Sequence, residues 1–231
     1  YESERLAAVH ALAAADPVTG RFAMLAAITR LRRLACSVKL IDDDTNLASS
    51  KLACVLETVA ELRAAGHRAL VFSQFTSHLA LVREALDGLG VAYEYLDGQT
   101  PASERERLVA AFQGGRGDLF LLSLKAGGTG INLTAADYVL HLDPWWNPAA
   151  EDQATDRAHR IGQSKPVTVI RFVAKDTIEE AVLALHDEKR ELAESLLSGG
   201  DLAAKLTSRE LLDLVRRGEL EAGDAEEEAE G

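Results

Sequence analysis

The chain has 231 residues, of which 47% are hydrophobic, enough to bury a core of ordinary domain size, so global disorder is excluded. No apolar run approaches the roughly 20 residues a bilayer-spanning helix needs, so no membrane association is expected, and Cys36 and Cys54, without CxxC spacing or a His/Cys cluster, argue for inert thiols in a reducing compartment and against a metal site. The formal net charge is −12, but Glu219 to Gly231 carry seven acids and no base; without them 30 acids face 25 bases, so charge neither supports nor forbids contact with nucleic acid.

In chain order, residues 1–35 read as helical, rich in Ala, Leu and Arg, and lead through the polar stretch Asp42–Ser50 into a second helical segment from Lys51 to Ala65. ALVFS (69–73), preceded by Gly66, is too short for a helix and suits a buried parallel strand. A helix follows through Leu79, Val82 and Leu86, ending near Gly88 and Gly90, and VAYEYL (91–96) reads as a second strand. Thr100 is expected to cap the next helix with Pro101 at its first position and Leu108, Val109 and Phe112 on its buried face. DLFLLS (118–123), YVLHL (138–142) and VTVIRFV (167–173) are three more strands. Strands alternating with helices predict an α/β fold, a parallel sheet covered on both faces. Asp176 and Glu179 resemble an acidic capping box for a long helix whose face is Ile178, Val182, Leu185, Leu192 and Leu196, ending at Gly199–Gly200. Residues 201–217 suit a last short helix, and the EAGDAEEEAEG tail has the composition of a solvated, disordered end.

Three segments carry chemistry. SLKAGGTGINL (123–133) follows a strand directly, and its glycines at 127, 128 and 130 would let backbone N–H groups approach a phosphate, although a structural turn explains them equally well. It is not a Walker A loop, because no G-x4-GK-[ST] occurs in the chain. In NPAAEDQATDRAHRIGQ (147–163), Asn147 can cap a helix with Pro148 at its first position and Glu151 and Asp152 in its first turn. Gln153, Arg157 and Arg160 would then share one stripe at i, i+4 and i+7, with His159 on the opposite side. Arginine suits a developing phosphoryl charge through its planar, permanently charged fork, whereas a solvated face in which Asp152 and Asp156 pair the arginines is the alternative. Trp145 and Trp146 follow a strand between two prolines; one is expected to be core, and Trp145 is the choice. The histidines have no metal-ligand spacing, no nucleophile elbow is present, and the GxGxxG of a Rossmann-type dinucleotide binder is missing.

Together VFSQF (71–75), YLDGQT (95–100), SLKAGGTGINL, DPWWNP (143–148) and DRAHRIGQ (156–163) resemble, in order and spacing, the Swi/Snf-type branch of the helicase-like, DNA-stimulated ATPases. The similarity spans about residues 30 to 197, and DRAHRIGQ with DPWWNP separates this branch from RNA helicases. The resemblance implies a RecA-like lobe, the second of a two-lobed DNA translocase, with ATP and Mg2+ bound in the intact protein and the phosphate loop and acidic magnesium motif supplied by a first lobe, neither being found here. It implies that Arg157 and Arg160 act on the triphosphate, Arg160 as arginine finger, with Gln153, Gly130 and Asn132 near the nucleotide. Ser73, Gln74, Gly98, Ser123, Lys125, Gly127 and Trp146 would meet the DNA. The expected partners are double-stranded DNA, the first lobe and nucleoprotein targets; this lobe alone would hydrolyse no ATP. Many relatives carry a His-Pro pair before the lysine-leucine that opens this lobe, and Cys36-Ser37-Val38 stands there instead, ahead of Lys39-Leu40. The expected division is a helical lead-in over 1–44, the lobe over 45–200 and a short helix with an acidic tail over 201–231. The first residue, Tyr1, suggests a piece of something longer, and the Ala- and Arg-rich composition a bacterial, cytoplasmic source, or a nuclear one if eukaryotic. The reading of another class is a non-catalytic interaction module that kept the fold.

Overall fold

The structure is a computed structural model and describes residues 1–13, 17–124, 126, 131–193, 211–212 and 215–216. It divides into two compact units, residues 46–173 and residues 1–45 with 174–231. The first boundary falls where the sequence puts it. The second falls at Val173, so residues 174–200, expected to close the lobe, group instead with the amino-terminal segment. Among the described residues no helix is long and apolar enough to cross a membrane.

In the larger unit a five-stranded, all-parallel sheet has the order β2-β3-β1-β4-β5. Its strands are β1 (Ala69–Ser73), β2 (Tyr93–Leu96), β3 (Leu119–Ser123), β4 (Tyr138–His141) and β5 (Thr168–Arg171). Every residue of β1 and β3 is buried, as expected of central parallel strands covered on both sides. The two-residue alternation of a strand then sorts the side chains by face. Ala69, Val71, Leu119 and Leu121 pack with Val55, Val59 and Leu62 of α3 (Ser50–Ala64) and Leu79, Val82 and Leu86 of α4 (Thr76–Gly88). Leu70, Phe72, Phe120 and Leu122 pack with Leu108 and Phe112 of α5 (Ala102–Gln113) and with Ala154 of α6 (Pro148–Thr155).

The amino end of α5 differs from the sequence reading. The helix begins after Pro101, which makes no side-chain cap, because the Thr100 hydroxyl turns back to accept from Asp97 N at 3.0 Å. The tight turn at Asp97 takes the group that would otherwise cap.

The smaller unit holds α1 (Glu2–Ala13), α2 (Pro17–Cys36), a 3-10 turn at Val38–Leu40 and α7 (Ile178–Ala193). The start of α7 also departs from expectation. Asp176 takes a left-handed φ of 56°, the Thr177 hydroxyl accepts from Glu179 N at 3.2 Å, and Glu179 accepts from Ala174 N at 2.8 Å. Thr177, not Asp176, is therefore the capping side chain. The predicted end of α7 at Gly199–Gly200 and the acidic tail lie outside the described residues, as does most of the predicted 201–217 helix, of which residues 211–212 and 215–216 are helical.

Candidate nucleotide and nucleic-acid site

The register of the sheet puts the carboxyl ends of all five strands along one edge: Ser73 opposite Ser123, Phe72 opposite His141, Leu96 opposite Leu122 and His141 opposite Arg171. The chain leaves β1 towards β2 on one side of the sheet and leaves β4 towards β5 on the other. The crevice between the ends of β1 and β4 is thus the switch point at which open parallel sheets bind ligands.

That junction is closed by a carboxylate. Asp143, 1% exposed, accepts from the Ser73 hydroxyl at one oxygen and from Gln74 N at 3.2 Å at the other, while Leu142 N donates to Phe72 O at 2.9 Å. Ser73 also accepts from Phe75 N at 3.0 Å, which aims the chain into α4. Both serines expected to meet DNA are therefore inside, Ser73 at 0% and Ser123 at 3% exposure, the latter accepting from Ala126 N at 3.3 Å. The Gln74 side-chain nitrogen is buried without a hydrogen-bond partner.

Beyond β2 the YLDGQT loop is built on Asp97. Burial would raise its carboxyl, but hydrogen bonds from Tyr95, Gln99 N and Thr100 outweigh that and hold it below the ordinary carboxylate range. Arg105 of α5 donates to the carbonyls of Thr100 (2.8 Å), Asp97 (3.2 Å) and Ala126 (3.2 Å), tying this loop to the one after β3. Gly98 is exposed, and a Cβ built there would meet nothing within 4 Å.

After β4, the predicted start of α6 is borne out: the Asn147 side chain accepts from Ala149 N at 3.1 Å and Pro148 is the first helical residue. Two expectations are corrected beside it. Trp146 is the buried tryptophan, at 7%, and Trp145 is half-buried, the reverse of the sequence reading. Glu151 is not a solvated first-turn acid; it is 1% exposed and accepts from Trp145 N at 2.7 Å and from Arg171 Nε at 2.8 Å. Those bonds fix the backbone of the tryptophan pair and turn Trp146 inward. Behind them, burial holds the His141 imidazole below its ordinary pKa, against the pull of Glu151.

The helical stripe does not exist, because α6 ends at Thr155 and residues 156–163 form turns and bends. Gln153 remains on the helix and exposed; Arg157 and Arg160 lie beyond it. Arg157 is 3% exposed, and its Nε and Nη1 have no hydrogen-bond partner. Burial, and then the neighbouring Arg160 cation, push its pKa down. Arg160 is exposed, with Nε donating to Asp156 O at 3.1 Å, so neither arginine has an Asp side chain as its printed partner. His159 is exposed. Asn132 is exposed on the segment that leads to β4, whereas Lys125, Gly127 and Gly130 lie outside the described residues. The residues that sequence reasoning missed are Asp143, Glu151, Arg105 and Gln163; Asp143 and Gln163 sit in the motifs DPWWNP and DRAHRIGQ, which were the available signal.

A parallel sheet of this order, with glycine-, tryptophan- and arginine-bearing loops after its strands, defines a RecA-like lobe, and residues 50–162 match the helicase conserved C-terminal domain. The human chromatin-remodeling ATPase INO80 is 44% identical over 170 residues, which is 72% of this chain and 11% of that protein. An uncharacterized ATP-dependent helicase of Mycoplasma pneumoniae is 40% identical over 195 residues, 84% of this chain and 19% of that protein. The Sulfolobus solfataricus SWI2/SNF2 ATPase core, solved in complex with dsDNA, superposes with a TM-score of 0.77 at 28% identity, covering 93% of this chain and 46% of that one. Its C-terminal domain alone gives 0.73 at 26% identity over 92% and 89%. The chain belongs to the Swi/Snf-type family of helicase-like ATPases, as a C-terminal lobe. It spans between about a tenth and a fifth of the length of these curated relatives.

Proposed function

We propose that the chain works as the second motor lobe of a Swi/Snf-type ATP-dependent DNA translocase, completing a nucleotide site whose phosphate loop and Mg2+-binding acids belong to a first lobe. The observation that carries this reading is Arg157. A buried guanidinium with two unpaired N–H groups costs several kcal/mol unless an anion compensates it, and a phosphate oxygen is the anion its planar fork fits. Arg160, exposed three residues on, would reach the same phosphate as arginine finger, with Gln153, Asn132 and Gly130 around the nucleotide. Both arginines would act by holding charge on the transferring group and not by moving protons.

For DNA, the reading uses the carboxyl edge of the sheet. Gly98 has room for a side chain within its own fold, so a partner's close approach is a reason for glycine there that the chain itself does not supply. The unpaired side-chain nitrogen of Gln74 suits a phosphate oxygen. Ser73 and Ser123 would shape the edge from inside, while Lys125 and Gly127 would meet the backbone. Buried Trp146 would support the DPWWNP loop, and half-buried Trp145 has the surface to offer. Such contacts would be independent of sequence and weakened by salt. Nucleoprotein targets are part of the same reading.

The test is DNA-stimulated ATP turnover in the intact two-lobed protein. Arg160→Ala should lower turnover on the order of 10³–10⁵-fold, with a far smaller change in ATP affinity, and Arg160→Lys should not rescue because it loses the planar fork. Near-normal turnover in Arg160→Ala would favour a non-catalytic interaction module. The 231-residue chain alone should hydrolyse no ATP.

A further inference from the structure

We infer that Gln163 is the positioning residue that sets the arginine-bearing loop, an assignment that rests on the motor reading above. Past Thr155 that loop has no helical ladder to hold it, so its place depends on a few individual bonds. At its near end Leu133 N donates to Arg157 O at 2.9 Å. At its far end the Gln163 carboxamide does the work of a small sheet. Its Nε2 is 2.7 Å from Ala136 O, 3.1 Å from Thr134 O and 3.3 Å from Ala158 O, and its Oε1 accepts from Lys165 N at 2.9 Å.

The chemistry of that arrangement is specific. An amide nitrogen has two hydrogens, which serve the two nearer carbonyls, and its oxygen takes the fourth contact, so donor and acceptor ends are both used. No other uncharged side chain of that length offers both. The acceptors come from two stretches: Thr134 and Ala136 belong to the segment running from Asn132 into β4, and Ala158 belongs to the arginine loop itself. Gln163 N also donates to Arg160 O at 3.0 Å, so the backbone of Arg160 hangs directly from the anchored residue. Gly162, with φ of 105°, makes the bend that brings the carboxamide round, a conformation open to glycine. Arg157 and Arg160 thus lie between two anchors that share one support, the 133–136 segment. Gln163 touches neither nucleotide nor DNA in this assignment; it acts through the arginines.

The distinguishing substitution is Gln163→Glu, which keeps the length and the acceptor for Lys165 N and turns the donating nitrogen into an oxygen facing three carbonyls. Gln163→Ala removes the donors without adding charge and serves should the first variant fold poorly. Both are compared with wild type and Arg160→Ala in the intact two-lobed protein. The measurements are DNA-stimulated turnover, ADP affinity, and affinity for ADP with aluminium fluoride, which mimics the transferring phosphoryl group. A tenfold or larger loss of turnover in Gln163→Glu, matched by a similar loss of ADP–aluminium fluoride affinity and less than a twofold change for ADP, is the expected result. Gln163→Ala should show the same split at smaller size. Equal losses for ADP and for the analogue would mean general destabilisation, and wild-type turnover in both variants would mean no role; either overturns the assignment. If Arg160→Ala and Arg157→Ala are themselves near normal, the motor reading fails and takes this inference with it. If the arginine variants are slow and the Gln163 variants are not, only the inference fails.

Discussion

The Ser73–Asp143 junction and the loop after α6 treat buried charge in opposite ways. At the junction Asp143 is 1% exposed and both its oxygens accept hydrogen bonds, from the Ser73 hydroxyl and from Gln74 N. In the loop Arg157 is 3% exposed and two of its nitrogens donate to nothing. The first arrangement is complete within the chain and contributes to holding β1 against β4. The second is incomplete, and its free-energy cost persists until a ligand meets it. A fold of this kind keeps its strand ends rigid and leaves the uncompensated group where an anion is to be bound.

The sharpest way to break that contrast is to replace each charge by a neutral side chain. Arg157→Met should lower ATP turnover of the intact protein by about 10³-fold or more. In the same variant the urea midpoint of the 231-residue chain should stay level or rise, by up to about 2 kcal/mol, since a buried unpaired cation is lost. A clear loss of stability would show that Arg157 is a structural residue. Asp143→Ala should do the reverse for stability, costing about 3 kcal/mol because Gln74 N and the Ser73 hydroxyl lose a buried acceptor; a cost under about 1 kcal/mol would mean the junction does not hold the sheet edge. Asn147→Ala, which removes the cap of α6 and so the approach to the arginine loop, should cost about 1 kcal/mol in the same denaturation assay.

The smallest effect concerns acid. Asp137, 4% exposed, accepts from His67 Nδ1 at 2.8 Å, Arg68 N at 3.1 Å and Lys165 Nζ at 3.1 Å. Burial opposes its ionisation, but these bonds win and its pKa is lowered in the folded chain. A lowered carboxylate contributes stability that is complete above its unfolded pKa of about 3.9 and is lost as pH falls through the folded value. Stability measured from pH 5 downwards should therefore fall less steeply in Asp137→Asn than in wild type. Parallel curves would show that Asp137 does not contribute.

Much of this was legible in the residues. All five strands stand within two residues of where short apolar runs between turn signals put them, because a five-residue run such as ALVFS has no room to be a helix. The cap at Asn147 was legible too, since Asn-Pro acts on the next turn and needs no distant partner. The misreadings share one cause. The stripe of Gln153, Arg157 and Arg160 extrapolated a helical period through DATDRAHR-like sequence that contains no Pro or Gly until Gly162, yet the helix stops at Thr155. Nothing local commands that stop; the carbonyl of Arg157 goes to Leu133 N, 24 positions earlier, and the Ala158 carbonyl goes to Gln163. The tryptophans were exchanged for the same reason, through Glu151 and its bond to Arg171, 20 positions away.

Local chemistry, read from the sequence alone, determined which segments are strands, where α6 begins and which motifs carry glycine, tryptophan and arginine. Tertiary structure alone decided which charges are satisfied. Asp143 finds Ser73 across 70 positions of chain, whereas Arg157, as deeply buried, finds no partner for Nε or Nη1. Periodicity reports the direction a side chain leaves its own helix or strand, but a hydrogen bond depends on what another part of the chain brings within about 3 Å of it.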